Sequence, residues 1–142
     1  MDDDYIAEAR SVIRTEINEL TRLADRVNST FILAIEALRQ GIDGGGKIIV
    51  IGVGKSENIA TKIAATLSST GAPAVLLNCQ NALHGDIGIV SRGDRVIALS
   101  YSGETTELLH LLPHLKRRTV TIIAITGKTE STLATSSDIV LD

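Results

Sequence analysis

Lys47-Ile48-Ile49-Val50-Ile51-Gly52-Val53-Gly54-Lys55-Ser56 sets a run of branched aliphatic residues against a turn with two glycines. A short, unbroken Ile/Val run bounded by glycine predicts a strand buried on both faces, and parallel sheets are the arrangement that buries both faces. Residues 56–70 then return to helical spacing. Further apolar runs follow at 74–78, 95–100, 120–126 and 138–141, and helix-period segments separate them at about 104–117 and 131–134. Strands alternating with helices predict right-handed crossovers, hence an α/β fold: a three-layer α/β/α sandwich around a five-stranded parallel sheet.

On the N-terminal side the pattern changes. Ile6, Val12, Ile13, Ile17, Leu20, Leu23, Val27, Phe31, Ile32, Ile35 and Leu38 recur at intervals of three and four, the spacing of amphipathic helices. Asn28-Ser29-Thr30 reads as a break with a cap, which predicts two helices at about 4–27 and 30–41. The glycines at 41 and 44–46 end helical structure and form a short junction. The expected organisation is one domain over 1–142, with N-terminal helices at 1–43 and an α/β core at 47–142.

Composition narrows the function classes. The chain has 142 residues, 44% hydrophobic and 22% charged, which excludes a disordered chain and suits one core of Ile, Leu, Val and Ala. With no Trp, one Phe and two Tyr, it lacks the stacking platforms of a nonspecific single-strand nucleic-acid binder. Residues 1–46 hold nine acids against five arginines, and residues 47–142 hold eight acids against nine bases. Acidity on the N-terminal helices opposes contact with nucleic-acid phosphates, so these helices are expected to pack against a neighbouring subunit. The single cysteine, Cys79, excludes an intrachain disulfide and reads as a packed thiol in a reducing compartment. Met1-Asp2-Asp3-Asp4 is acidic where a secretory signal would be basic, and no apolar run approaches the roughly 20 residues of a membrane span. No membrane and a cytoplasmic location are expected.

In open parallel sheets, ligands bind beyond the carboxyl ends of the strands, so the loops after 53, 78, 100 and 126 carry the candidate chemistry. The Gly52–Ser56 turn fits neither phosphate fingerprint: a P-loop needs glycine where Ile49 stands, and the dinucleotide motif needs glycine where Glu57 stands. What remains is a glycine turn into a helix, with Ser56 as expected N-cap and Lys55 at the ligand edge, or else a plain βα turn with a solvated lysine. Ser100-Tyr101-Ser102-Gly103-Glu104-Thr105 gathers three hydroxyls around a glycine where a strand turns into a helix. Hydroxyls and helix-start N–H groups can donate to a phosphoryl dianion, and Gly103 allows close backbone approach. The alternative is that Ser102 or Thr105 only caps the helix, with Glu107 as capping-box partner. Between these lies a polar loop, 78–88, in which His84 and Asp86 stand close together; a histidine there can titrate near neutral pH or bind metal, or be an ordinary exposed side chain. His110 and His114 lie four apart on a Leu-rich segment and read as a helix face.

These loops together resemble the SIS (sugar isomerase) domain, and within it the arabinose-5-phosphate isomerases. Ser100-x-Ser102-Gly103-Glu104-Thr105 is similar to the general phosphosugar signature, while Gly52–Ser56, Ala64-Ala65-Thr66, Ser69-Thr70-Gly71, His84-Gly85-Asp86 and Ile125-Thr126-Gly127 resemble the isomerase subgroup in order and spacing. The resemblance covers nearly the whole chain. It implies a cytoplasmic homo-oligomer, usually a tetramer, that interconverts D-ribulose 5-phosphate and D-arabinose 5-phosphate on the way to Kdo and lipopolysaccharide. It places the substrate phosphate at Ser100, Tyr101, Ser102, Gly103 and Thr105, active-site chemistry at Lys55, His84 and Glu107, and Gly54, Ser56 and Asp86 in the surrounding substrate loops. No redox cofactor is required and no metal is demanded. Family members continue with helices carrying a Ser-His-Pro-Gly-Gly-like segment, and many add CBS domains. The 142 residues contain neither, so the chain is expected to be C-terminally shortened: a piece of an isomerase, or alternatively a phosphosugar-binding regulatory module without catalysis. Two smaller departures are Glu57, where the subgroup often has glycine, and residues 78–83, which replace the usual His-Pro-containing loop.

Overall fold

The computed structural model describes residues 2–142, with side chains from Asp4 onward. Two helices, α1 (Asp2–Arg26) and α2 (Ser29–Asp43), precede a core in which β1 (Ile48–Ile51), α3 (Lys55–Ser69), β2 (Ala74–Leu76), α4 (Cys79–Leu83), β3 (Arg95–Leu99), α5 (Thr106–Arg117), β4 (Thr121–Ile125), α6 (Thr132–Ser136) and β5 (Ile139–Leu141) follow in order. All strand pairs are parallel, and the sheet order is β2-β1-β3-β4-β5. The predicted five-stranded parallel sheet is therefore present, and the two N-terminal helices break where expected: Asn28 Oδ1 accepts from Thr30 N at 2.8 Å.

Side-chain alternation along the central strands sorts the core into two layers. Ile49, Ile51, Val96, Ala98, Ile122 and Ala124 point one way and pack with α5 through Leu108, Leu111, Leu112 and Leu115. Ile48, Val50, Ile97 and Leu99 point the other way onto Ala60 and Ala64 of α3, with Leu38 and Ile42 of α2 at the margin. All four residues of β1 are buried, which explains why that run is apolar at every position rather than alternating. The leucines of α5 recur at helical spacing on its buried face.

One difference from the sequence reading concerns a particular segment. Residues 78–88, expected as a loop, hold the five-residue α4 and a 3-10 turn at Asp86–Ile89. On α1, which the sequence reading expected to pack against a neighbouring subunit, no described side chain is buried: Ile6, Ile13 and Leu20 are 50%, 55% and 65% exposed, and Val27 just beyond it is 54% exposed. The amphipathic pattern is real, but among the described residues its apolar stripe stays exposed, meeting the rest of the chain only near its end, where Leu23 borders the cleft beside β4 and β5 and Arg26 pairs with Asp142 at 3.6 Å.

Candidate functional site

The carboxyl ends of the strands form one edge, and the sheet order decides which loops meet there. β1 lies between β2 and β3, so the β1 turn is flanked by the loop that follows β2 and the loop that follows β3. The turn is built by glycine. A Cβ on Gly52 would lie 2.7 Å from the Ser56 backbone, so only glycine lets α3 approach the end of β1. Gly54 adopts φ 60° and ψ −121° as the N-cap, a conformation open chiefly to glycine. Helix α3 thus begins at Lys55 with no side-chain cap, and the expectation that Ser56 caps it is corrected. The backbone conformation of Gly54 makes the turn, and the half-buried Ser56 already lies within the helix. Lys55 is exposed at the edge.

Beyond β3, Ser100 is 3% exposed and sits beneath its loop. Its Oγ accepts from Gly103 N at 3.1 Å and shares a 2.8 Å hydrogen bond with Thr105 Oγ1. Ser102 is exposed and its Oγ accepts from Glu104 N at 3.2 Å. Thr105 is the N-cap residue of α5, yet its hydroxyl turns to Ser100 and makes no cap hydrogen bond. The capping alternative for Thr105 therefore does not describe this loop. Gly103 has φ 65°, and an added Cβ would run into Ser131. The loop is also stitched to its neighbour beyond β4: Gly127 N and Thr126 Oγ1 donate to Tyr101 O at 3.1 and 3.2 Å, Leu133 N donates to Gly103 O at 3.0 Å, and Thr132 N donates to Glu104 Oε1 at 2.7 Å. Thr126, Ser131 and Glu104 are supports that sequence reasoning did not single out from the residues. Their partners are 25 or more positions away in the chain, and no local pattern signals such pairs. Tyr101 is exposed, with its ring beside Gly127.

Between these loops, Asn78 closes a joint. Its Oδ1 caps α4 by accepting from Asn81 N at 3.0 Å, while its Nδ2 donates to Glu57 Oε1 at 2.6 Å. His84 ends α4 and Asp86 opens the 3-10 turn; both are exposed, separated by Gly85 at φ 129°. Cys79 is buried, with Sγ 3.8 Å from Gly52 O. Burial, and then the nearby carboxylates of Glu57 and Glu107, push its thiol up to about 11, so it stays a neutral packing group at neutral pH, as its sequence context suggested. A small cavity of about 140 Å³ opens there, lined by Gly52, Gly54, Glu57, Asn78, Cys79 and Gln80 among others.

The structure thus gathers Gly54, Lys55, Ser56 and the 100–105 loop on one edge of the sheet, with Glu107 in the first turn of α5 and His84 and Asp86 on the segment beyond β2. No group of three or more His, Cys, Asp or Glu stands ready to hold a metal ion among the described residues. A larger cleft lies elsewhere. About 650 Å³ in volume, it runs between the α1–α2 junction and the ends of β4 and β5, with Leu23, Val27, Phe31, Val140 and Leu141 in its walls and none of the candidate catalytic or phosphate-binding residues. Among the described residues no helix is long and apolar enough to cross a membrane.

Comparison with known proteins supplies independent evidence. Residues 42–142 match the SIS domain family. The chain is 41% identical over 139 residues to arabinose 5-phosphate isomerase KdsD of Pseudomonas aeruginosa, covering 98% of this chain and 42% of that protein. It is 39% identical over 142 residues to arabinose 5-phosphate isomerase GutQ of Salmonella typhi, covering 100% of this chain and 43% of that one. Among solved structures, c3406 of E. coli CFT073 in complex with arabinose 5-phosphate superposes with a TM-score of 0.93 at 37% identity, over 100% of this chain and 74% of that one. The chain therefore spans less than half the length of the curated relatives it matches.

Proposed function

The chain belongs to the SIS-domain family, and from that premise we propose that it forms the sugar-phosphate site of an aldose–ketose isomerase acting on D-arabinose 5-phosphate and D-ribulose 5-phosphate. The observation that carries this reading is the 100–105 loop: the buried Ser100 hydroxyl bonded to that of half-buried Thr105, and a positive-φ glycine, feed directly into the start of α5, on the same edge as Lys55 and Glu107. Helix-start N–H groups favour a dianion. In our reading the backbone N–H groups of Tyr101 and Ser102, with the hydroxyls of Ser102 and Thr105, hold the phosphate; Gly103, whose own N–H is taken by Ser100, shapes the loop for close approach, and Ser100 donates from below or holds Thr105 in line.

Moving a carbonyl between C1 and C2 requires a base to take the proton on C2 of the aldose and return it to C1 through an enediol, with a second proton passing between O1 and O2. Glu107 is assigned as base or shuttle, and Lys55 as the cation that polarises the carbonyl as charge develops on oxygen. His84 is assigned as proton carrier, with Gly54, Ser56 and Asp86 shaping the substrate loops. C2 is oxidised as C1 is reduced, so there is no net redox change and the reaction balances without a redox cofactor. The exposed stripe of α1 supports a homo-oligomer, and we assign the tetramer, a cytoplasmic location and supply of Kdo and lipopolysaccharide synthesis on resemblance.

The test is proton NMR of the chain with D-arabinose 5-phosphate in heavy water. Deuterium exchange at C2, lowered about 100-fold or more in Lys55→Ala and Glu107→Ala, is the expected result. Exchange unchanged in both variants would remove Lys55 and Glu107 from the mechanism. Sugar binding without exchange would support the regulatory, non-catalytic alternative, and absence of any sugar binding would overturn the reading.

A further inference from the structure

We propose that Thr126 is a positioning residue for the phosphate site: its buried hydroxyl holds the Tyr101 carbonyl so that the Ser102 N–H is presented to the substrate phosphate. The inference rests on the phosphosugar reading above and deepens it, assigning a residue beyond another strand that the reading does not use.

Burial alone does not call for a hydroxyl at this position. Thr126 directly follows β4 and is 3% exposed. Valine has nearly the same shape and suits the end of a buried strand as well, whereas a buried hydroxyl is tolerated where it is hydrogen-bonded. Thr126 meets that demand twice: Oγ1 donates to Tyr101 O at 3.2 Å and accepts from Lys128 N at 3.2 Å. It thereby ties the loop beyond β4 to the 100–105 loop across 25 residues of sequence.

The Tyr101 carbonyl is held by two donors. Gly127 N donates to the same oxygen at 3.1 Å, so both lone pairs of Tyr101 O are engaged by the loop beyond β4. No cis peptide bond occurs among the described residues, and in a planar trans peptide the N–H points opposite to the C=O. The Ser102 N–H, in the same peptide unit as that carbonyl, is therefore directed away from the β4 loop. No acceptor among the described residues takes it, whereas the next two donors are engaged: Gly103 N by Ser100 and Glu104 N by Ser102 Oγ. An unpaired N–H of fixed direction, on an exposed residue just ahead of α5, suits a phosphate dianion. Thr126 is buried, and its effect on the ligand passes through the Tyr101–Ser102 peptide. Releasing that peptide costs affinity for the phosphoryl group whatever sugar carries it.

The test is amide NMR of the isotope-labelled chain, titrated with inorganic phosphate and with D-arabinose 5-phosphate, in wild type, Thr126→Val and Thr126→Ser. In wild type the Ser102 amide proton is expected to move downfield with either ligand, as a charge-assisted hydrogen bond forms. Thr126→Val removes the hydroxyl at nearly constant shape. It is expected to weaken both ligands by the same factor, about 3- to 10-fold, and to reduce the Ser102 shift at saturation. Thr126→Ser keeps the hydroxyl and should restore both. If Thr126 served stability alone, Thr126→Val would lower the urea midpoint yet keep wild-type affinities and the wild-type Ser102 shift, which would overturn the inference. A wild-type chain that binds phosphate with the Ser102 amide unmoved would also overturn it, and that measurement stands even if Thr126→Val does not fold. Both results leave the phosphosugar reading in place. If the wild-type chain binds neither ligand, the phosphosugar reading fails and this inference with it.

Discussion

Ser100 shows how a residue type can be legible while its job is not. A serine at a strand end before Tyr-Ser-Gly invites assignment as a phosphate ligand, yet it is buried and bonded to Gly103 N and Thr105 Oγ1. Ser100→Ala is therefore expected to cost about 0.5–1.5 kcal/mol of stability, since Gly103 N keeps its bond to Ser100 O and loses only the side-chain acceptor, and to weaken phosphate binding through Thr105. Urea denaturation and phosphate titration measure the two effects; loss of binding with no loss of stability would contradict the placement. Asp94, at the opposite end of the sheet, has a different role. Burial pushes its carboxyl up, but hydrogen bonds from Lys47 Nζ, Ser91 N and Lys47 N, with the Lys47 charge, outweigh this and hold it below its ordinary 3.8. A depressed folded pKa stabilises the fold above the unfolded value and is lost as pH falls through the folded one. Asp94→Asn should thus cost about 1–3 kcal/mol at neutral pH, and the gap to wild type should close below pH 3.8, as urea midpoints across pH will show. A gap independent of pH would mean that packing, not ionisation, makes Asp94 useful.

Among the elements, α1 and α5 carry similar apolar periodicity and end in opposite situations. Leu108, Leu111 and Leu115 of α5 are fully buried against the sheet, whereas Ile6, Ile13, Leu20 and Val27 of the α1 segment recur every seven residues on an exposed stripe. Periodicity states that a face is apolar and leaves open what covers it. The α1 seam has the spacing for helix pairing between copies, so Ile13→Asp combined with Leu20→Asp should lower the mass measured by light scattering while the circular dichroism of the core persists. A wild-type chain that is already monomeric, or a variant of unchanged mass, would contradict the oligomer assigned above. The short α4 is the opposite case: five residues capped by Asn78 are too few for a period to be read, and Cys79 and Ala82 are the two that the fold buries.

In the molecule as a whole, the order β2-β1-β3-β4-β5 puts three separate loops on one edge. If that edge binds a phosphosugar, D-arabinose 5-phosphate at about 100 times its Kd should stabilise the chain by about 2.7 kcal/mol. For a chain of this size that is a rise of about 5–10 °C in Tm, with inorganic phosphate giving less. No shift with either ligand would count against the proposed site. The strands, their parallel pairing and the glycine turns were legible in the residues because each depends on neighbours in sequence: unbroken Ile/Val runs demand burial on both faces, and Gly54 is the residue type that its backbone conformation requires. Lys55, the 100–105 hydroxyls and Glu107 could be marked for the same reason, each lying at a strand end or helix start. Only the tertiary structure decided that Ser100 lies beneath its loop, that Thr126 and Glu104 tie this loop to the segment beyond β4 while Ser131 packs against Gly103, that Asn78 bonds Glu57, and that the apolar stripe of α1 stays exposed among the described residues. Those facts depend on contacts between residues far apart in sequence, which burial and sheet order determine and local pattern does not.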